Sequence, residues 1–240
     1  MKTKLILGLA ATCLITGNMA FATDITPSFT TFGSLKGANF GGNGIPNTDV
    51  AAITVITNGN DTITLGLTAT QRYSNPPVTN NLAGTFYATP GLDAASPSTY
   101  AKWNFDWYIN LADNNAGTYS FNLLYGNNTT GASNGFVIPT GTSGLTSTVS
   151  GTGQDSWNLR MGFMNVVPTT TIGFDPTADG VYGFELQAFN AAGTMLGETA
   201  INVNVGSSVP DAASSTLLLG LGLGSLLLFG YKQNRLTVTK

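Results

Sequence analysis

Asp106, Asp155 and Glu185 fall within or at the edges of predicted strands, and paired carboxylates are the one piece of catalytic equipment this composition leaves open. Glycoside hydrolysis needs only two such groups, roughly 5–10 Å apart across the scissile bond. The chain contains no His. That removes Ser-His-Asp and Cys-His nucleophile systems, imidazole acid–base chemistry and His-ligated zinc. The single Cys13 lies in an N-terminal apolar run; once that run is removed, no thiol remains for a disulfide, an iron–sulfur cluster or a thiolate zinc site. No Gly-rich loop followed by Lys-Ser or Lys-Thr is present, so nucleotide chemistry is not expected. A single acid on the outer face of a strand is ordinarily a solvated group. No catalytic residue is assigned, and the chain is read as a non-enzyme.

Two ligand chemistries remain. Asp61, Asp113, Asp175 and Asp179 sit in short Asn/Asp/Gly/Pro-rich stretches, which suit a hard cation such as calcium. None has the twelve-residue EF-hand pattern, and the same residue types form Asx turns without any ion; no firm metal site or cofactor is assigned. Trp103, Trp107 and Trp157 could stack on sugars, but they run in phase with other apolar residues and are expected in the core. Tyr100 and Tyr108 fall outside that phase and are the candidate ligand face. The net charge of −3 and pI near 4.6 argue against nucleic acid as a partner.

The elements that would position these groups are read from period-two alternation, the signal of a half-buried strand. Trp103, Phe105, Trp107, Ile109 and Leu111 alternate with polar neighbours; so do Tyr119 to Tyr125, Trp157 to Phe163, and Tyr182 to Ala188. Ile201, Val203 and Val205 form a last strand, and earlier strands are expected at 52–57, 62–68 and 84–88. The last two strands should form a hairpin across Asn190-Ala191-Ala192-Gly193, with Leu186 and Ile201 on one face. Residues 132–155, rich in Gly, Ser and Thr, read as a surface loop with one short strand near 145–149. Gly117-Thr118-Tyr119 and Gly180-Val181-Tyr182 echo one another at an offset of 63 residues, as if marking equivalent strands of two sheets. Tyr182 after Asp179-Gly180 is placed to form a tyrosine corner, its hydroxyl bonding to upstream backbone. The expectation is an all-β, antiparallel, Ig-like β-sandwich of about 8–10 strands. Its body, 23–208, holds four basic residues against eleven acidic ones.

Both ends read as addresses. Lys2 and Lys4, the apolar run from Leu5 to Ile15, and Ala20 and Ala22 before Thr23 form the three-part secretory pattern. A signal peptide, 1–22, cut by signal peptidase is expected. Residues 212–231 contain no charge and, as a helix, span one hydrocarbon thickness. Lys232, Arg235 and Lys240 follow with no acid among them, which holds the short tail inside and the body outside. The C-terminal segment, 209–240, thus divides into a motif (209–211), a transmembrane helix (212–231) and a basic tail (232–240).

Val209-Pro210-Asp211, the Leu/Gly span and the basic end together resemble the PEP-CTERM sorting tail, and more closely its VPD-type variant. Asp211 stands where the commonest form has Glu, Ala212-Ala213 where the variant often has Ser-Gly, and five residues follow Arg235. The resemblance implies a Gram-negative, exopolysaccharide-producing source and an exosortase-like processing enzyme as partner. It also implies an inner-membrane intermediate on the way to the cell surface or the extracellular space. Cleavage of the span and its retention as an anchor both remain open. The segments Gln71-Arg72-Tyr73-Ser74-Asn75-Pro76, Trp103 to Tyr108 and Gly153 to Leu159 make the body similar to bacterial proteins with this class of tail, which bring no assigned activity. The expected role is a structural or interaction protein of the cell surface or extracellular matrix. The alternative is a carbohydrate-binding module for exopolysaccharide; a carboxylate-dependent glycan-acting enzyme comes third.

Overall fold

The computed structural model describes residues 24–40, 46, 50–95, 99–112, 119–138, 151–165 and 172–207. Outside the described residues lie the leader with Ala20 and Ala22, Asp113, the strand expected near 145–149, and the whole tail with Val209, Pro210, Asp211, Lys232, Arg235 and Lys240. Among the described residues no helix is long and apolar enough to cross a membrane.

The chain is all-β. Its strands are β1 (Thr31–Ser34), β2 (Val50–Asn58), β3 (Asp61–Gln71), β4 (Thr79–Asn80), β5 (Thr85–Ala88), β6 (Trp103–Ala112), β7 (Tyr119–Asn127), β8 (Ala132–Ile138), β9 (Gly151–Trp157), β10 (Gly180–Asn190) and β11 (Met195–Val205). One sheet has the order β1-β2-β3-β6-β9, the other β4-β5-β11-β10-β7-β8. The strand count among the described residues, eleven, exceeds the expected range, because the short β1 and β4 carry no alternation to read. Pairing is antiparallel except between β5 and β11, which run parallel; the six-stranded sheet is therefore mixed, while the five-stranded one is purely antiparallel. The β2–β3 hairpin closes at Asn58 and Asp61 around a two-residue turn in which Gly59 has φ +65°, a conformation glycine adopts without steric cost.

One face of each sheet contributes to a shared apolar core. From β6 come Trp103, Phe105 and Trp107, from β3 Leu65 and Leu67, from β10 Tyr182, Phe184 and Leu186, and from β11 Ile201 and Val203, all buried. Phe105 stacks on Phe184 across the sheets with ring centroids 4.3 Å apart, and Trp107 meets Trp157 edge-on at 5.3 Å. All three tryptophans are core residues, as their phase requires. The expected β10–β11 hairpin forms with Phe184 opposite Ile201, so Leu186 and Ile201 share the core face.

Three readings need correction. Alternation from Trp157 to Phe163 is not a strand: β9 ends at Trp157, and Gly162–Asn165 make a 3-10 turn. The stretch 132–155 is not simply a loop, since it supplies β8 and most of β9; Gly and Ser positions there mask the pattern. The echoed segments do not lie in two sheets. β7 and β10 are antiparallel neighbours in one sheet, so Tyr119 and Tyr182 stand at opposite ends of the pair.

The outer face of the five-stranded sheet is also covered. Leu35 and Phe40, from the segment after β1, pack on Ala51, Ile53 and Tyr108 as a second apolar cluster. Gly66 makes room for it: a Cβ there would lie 2.5 Å from the Leu35 side chain. The Asn39 amide ties the far end of this strap to Gln154 on β9 at 2.6 Å. On the other sheet, residues 25–28 cross the outer face. Ile25 is buried over Gly183, where a Cβ would come within 2.4 Å of it. The Asn128 side chain brackets Ile25, accepting from its N–H at 3.2 Å and donating to its carbonyl at 2.6 Å.

Candidate functional site

Three polar clusters result from this architecture. The first lies on the outer face of the five-stranded sheet. Register places Thr68, Asp106 and Ser156 side by side across β3, β6 and β9. Asn158 donates to the carbonyls of Ala101 and Trp103 and to Asn104 Oδ1; Asn104 in turn donates to Ser156 Oγ at 2.9 Å. Asp106 is fully buried and neither of its carboxylate oxygens has a hydrogen-bond partner, nor has Thr70 Oγ1. Burial pushes the Asp106 carboxyl up to about 7; the nearby Ser156 and Thr70 hydroxyls pull it down and the Asp155 charge adds to the rise.

The second cluster uses the Gln71-to-Pro76 segment that the sequence singles out. Arg72 Nε pairs with Asp93 Oδ2 at 3.0 Å, and both side chains are buried. Its guanidinium lies 4.6 Å from the Tyr73 ring centroid and 4.7 Å from that of Tyr100, within cation–π range. Asn75 Nδ2 reaches Asp93 Oδ1 at 2.9 Å and also the Arg72 carbonyl. Tyr73 has φ +50°, uncommon for a residue with a side chain. Burial raises the Asp93 carboxyl, but the Ala95 amide, Asn75 and Arg72 outweigh it and leave the group below its ordinary value. The cluster clasps the end of β3 to the segment before β6.

The third lies on the outer face of the six-stranded sheet, where Glu185 on β10 and Glu198 on β11 are half-buried neighbours and Gln187 donates to Glu185. Burial, joined by the Glu198 carboxylate, pushes Glu185 up to about 7.

The carboxylates considered for catalysis are not brought together as a facing pair. Asp106 is on the outer face of its sheet; Asp155, opposite Trp107, is on the core-facing side at the edge strand; Glu185 is on the other sheet. The candidate ligand tyrosines fare differently from expectation. Tyr108 is 4% exposed, so it is not a surface aromatic; the strap that buries it carries no alternation and is invisible to a strand pattern. Tyr100 is half-buried against Arg72. Of the calcium candidates, Asp61 is buried and accepts from the Tyr119 hydroxyl at 2.6 Å. Asp175 takes the Thr177 amide and hydroxyl in an Asx turn, at 2.8 and 2.7 Å. Asp179 is exposed at the start of β10, with its carboxylate against Gly206. Among the described residues no three acidic side chains converge as a metal site. Sequence reading missed the Arg72–Asp93 pair and, although it named Asp106, the burial of that side chain. The first joins two loops with no shared pattern; the second needed the knowledge that its outward face is covered. Comparison with protein-family models and with curated protein sequences finds no match to this chain.

Proposed function

We propose that this chain is an exported structural or interaction protein of the cell surface or extracellular matrix. In this reading an Ig-like β-sandwich is delivered by the leader and by a PEP-CTERM-like sorting tail. The observation that carries the reading is the tripartite order of the tail: Val209-Pro210-Asp211, a charge-free span, then Lys232, Arg235 and Lys240. The body is compatible with it. β11 ends at Val205 and the Gly206 amide still bonds to the Ala88 carbonyl at 3.1 Å, so the motif begins within a few residues of an anchored strand end. A processing enzyme at the membrane would find it just below the body. Pro210 cannot donate a backbone hydrogen bond and favours a turned or extended entry before the span.

Support for the Ig-like assignment comes from strand order. β6 next to β9 in one sheet, and β11-β10-β7-β8 in the other, match the B–E and G–F–C–C′ neighbours of an Ig domain. Tyr182, near the start of β10, lies at the corner where the tyrosine of such folds sits, and the Asp175 backbone amide contacts its hydroxyl. Its ring folds over Gly180, where a Cβ would lie 3.0 Å from the hydroxyl.

Mass spectrometry of the mature protein tests the sorting reading. Processing yields a C-terminus near Asp211, whereas an anchor that is kept leaves Lys240 in place. Substituting Pro210→Ala and Asp211→Ala together should trap the protein in the inner membrane. A doubly substituted protein that reaches the surface with the wild-type mature mass refutes sorting through this motif.

A further inference from the structure

We propose that Asp106 is a proton-operated latch: with its proton the carboxyl stays inside the outer face of the five-stranded sheet and the strap at 35–40 stays seated; without it the seat opens. The geometry begins with the two orphaned carboxylate oxygens and complete burial of the side chain. From β3, Thr68 and Thr70 face it, and the Thr68 hydroxyl is committed to the Val50 carbonyl at 2.8 Å. From β9 comes Ser156, flanked in sequence by Asp155, a further negative charge. On its own strand Asn104 and Tyr108 share its face. The described strap residues carry one ionisable side chain, Lys36, which is exposed; Asp49 lies outside the described residues. Arg72, beyond the end of β3, is taken by Asp93. A neutral carboxyl adds no charge to this buried face; an ionised one does, and the Thr70 and Ser156 hydroxyls offset it only in part.

The strap rests on the rows beside this group. Tyr108, two residues on and on the same face, is the floor of its seat, with Phe40 edge-on at 6.2 Å. The Asn39 amide is held by Gln154, which pairs with Tyr108 just as Ser156 pairs with Asp106. On this proposal, opening the strap uncovers Tyr108 and Gln154, the neighbours of Asp106 and Ser156 on that face, and lets water reach the carboxyl.

The direction follows from linkage. In the closed seat the carboxyl keeps its proton up to about 7, against an ordinary 3.8 once it meets water. Between those two values the open state releases a proton that the closed state holds. The opening constant then rises about tenfold per pH unit through this window and levels off above it.

Hydrogen exchange of the full chain in detergent micelles, read by mass spectrometry and corrected for intrinsic exchange, tests this at the Ala38 and Asn39 amides. Both are hydrogen-bonded, to Leu35 O and Gln154 Oε1. Their opening should increase roughly a hundred-fold from about pH 5 to pH 7 and then flatten. Amides in the centre of β10 should show no such step. Asp106→Asn should abolish the slope. Opening that does not change with pH in the wild type, or a slope that survives Asp106→Asn, overturns the proposal. If Asp106→Asn does not fold, Thr70→Val decides: loss of a hydroxyl that favours the charged form must move the plateau to higher pH, and an unmoved plateau overturns the latch.

Discussion

The Tyr119 hydroxyl, on the six-stranded sheet, donates to the Asp61 carboxylate at 2.6 Å, in the hairpin turn of the five-stranded one. Asn58 Nδ2, at the other side of the same turn, donates to that hydroxyl at 3.1 Å. One phenol thus joins the two sheets at a closing turn. Tyr119→Phe keeps the ring and removes the link. It should cost about 2 kcal/mol in urea denaturation, the range for a buried bond to a charged group; no loss would mean that Asp61 finds equivalent partners.

The apolar core that joins the two sheets is built from residues between Ala52 and Val205, so residues 23–208 should fold alone. Far-UV circular dichroism of that fragment should give a β spectrum with a cooperative melt. A helical spectrum, or a melt without a transition, would contradict a self-contained body.

Asp93→Ala in this fragment should cost about 3–5 kcal/mol, because it strands the buried Arg72 guanidinium. The pH dependence has a fixed sign. The Asp93 carboxyl is depressed below 3.8 in the folded state, so its contribution is complete above that value and is lost as pH falls through the depressed one. Acid denaturation below about pH 4 should be shallower in Asp93→Asn than in the wild type.

Gly183→Ala puts a methyl where Ile25 sits, at a separation no Cβ tolerates. A loss of about 1–3 kcal/mol is expected from the overpacking, with residues 24–28 becoming the first site of limited proteolysis. In Ile25→Gly the same substitution should cost markedly less, since the two positions share one contact. Equal costs in both backgrounds would separate the glycine from the N-terminal segment.

Trp107→Ala should cost about 3–5 kcal/mol, the range for a large buried aromatic. A change below about 1 kcal/mol would place the ring outside the core and restore it as a surface for sugars.

Where a strand buries one face against the other sheet, its alternation can be read directly, as in β7, β10 and β11. The same logic failed on β6. There Asn104, Asp106 and Tyr108 alternate as solvent-facing residues should, yet all three are buried. Alternation reports on contrast between two faces, and it does not reveal a polar face that another segment covers. Gly66 and Gly183 look like ordinary strand glycines until Leu35 and Ile25 are seen lying on them. The Arg72 clasp was legible only as an unusual string of residues, because its partner Asp93 belongs to a separate loop. The addresses proposed for the two ends rest on a different kind of signal, local chemistry that is read without a fold.

The N-terminal crossing also bears on the order of assembly. Ser28 exchanges backbone hydrogen bonds with Ala200 in the final strand, and Ile25 is held by an asparagine 103 residues further on. Contacts of such separation form late, because the intervening chain must be ordered before they are rewarded. For a polypeptide threaded through a translocation pore from its N-terminus, the first residues of the body to emerge are among the last to find their places. Under the proposed export, the chain would stay pliable in transit and lock only once β11 had cleared the pore.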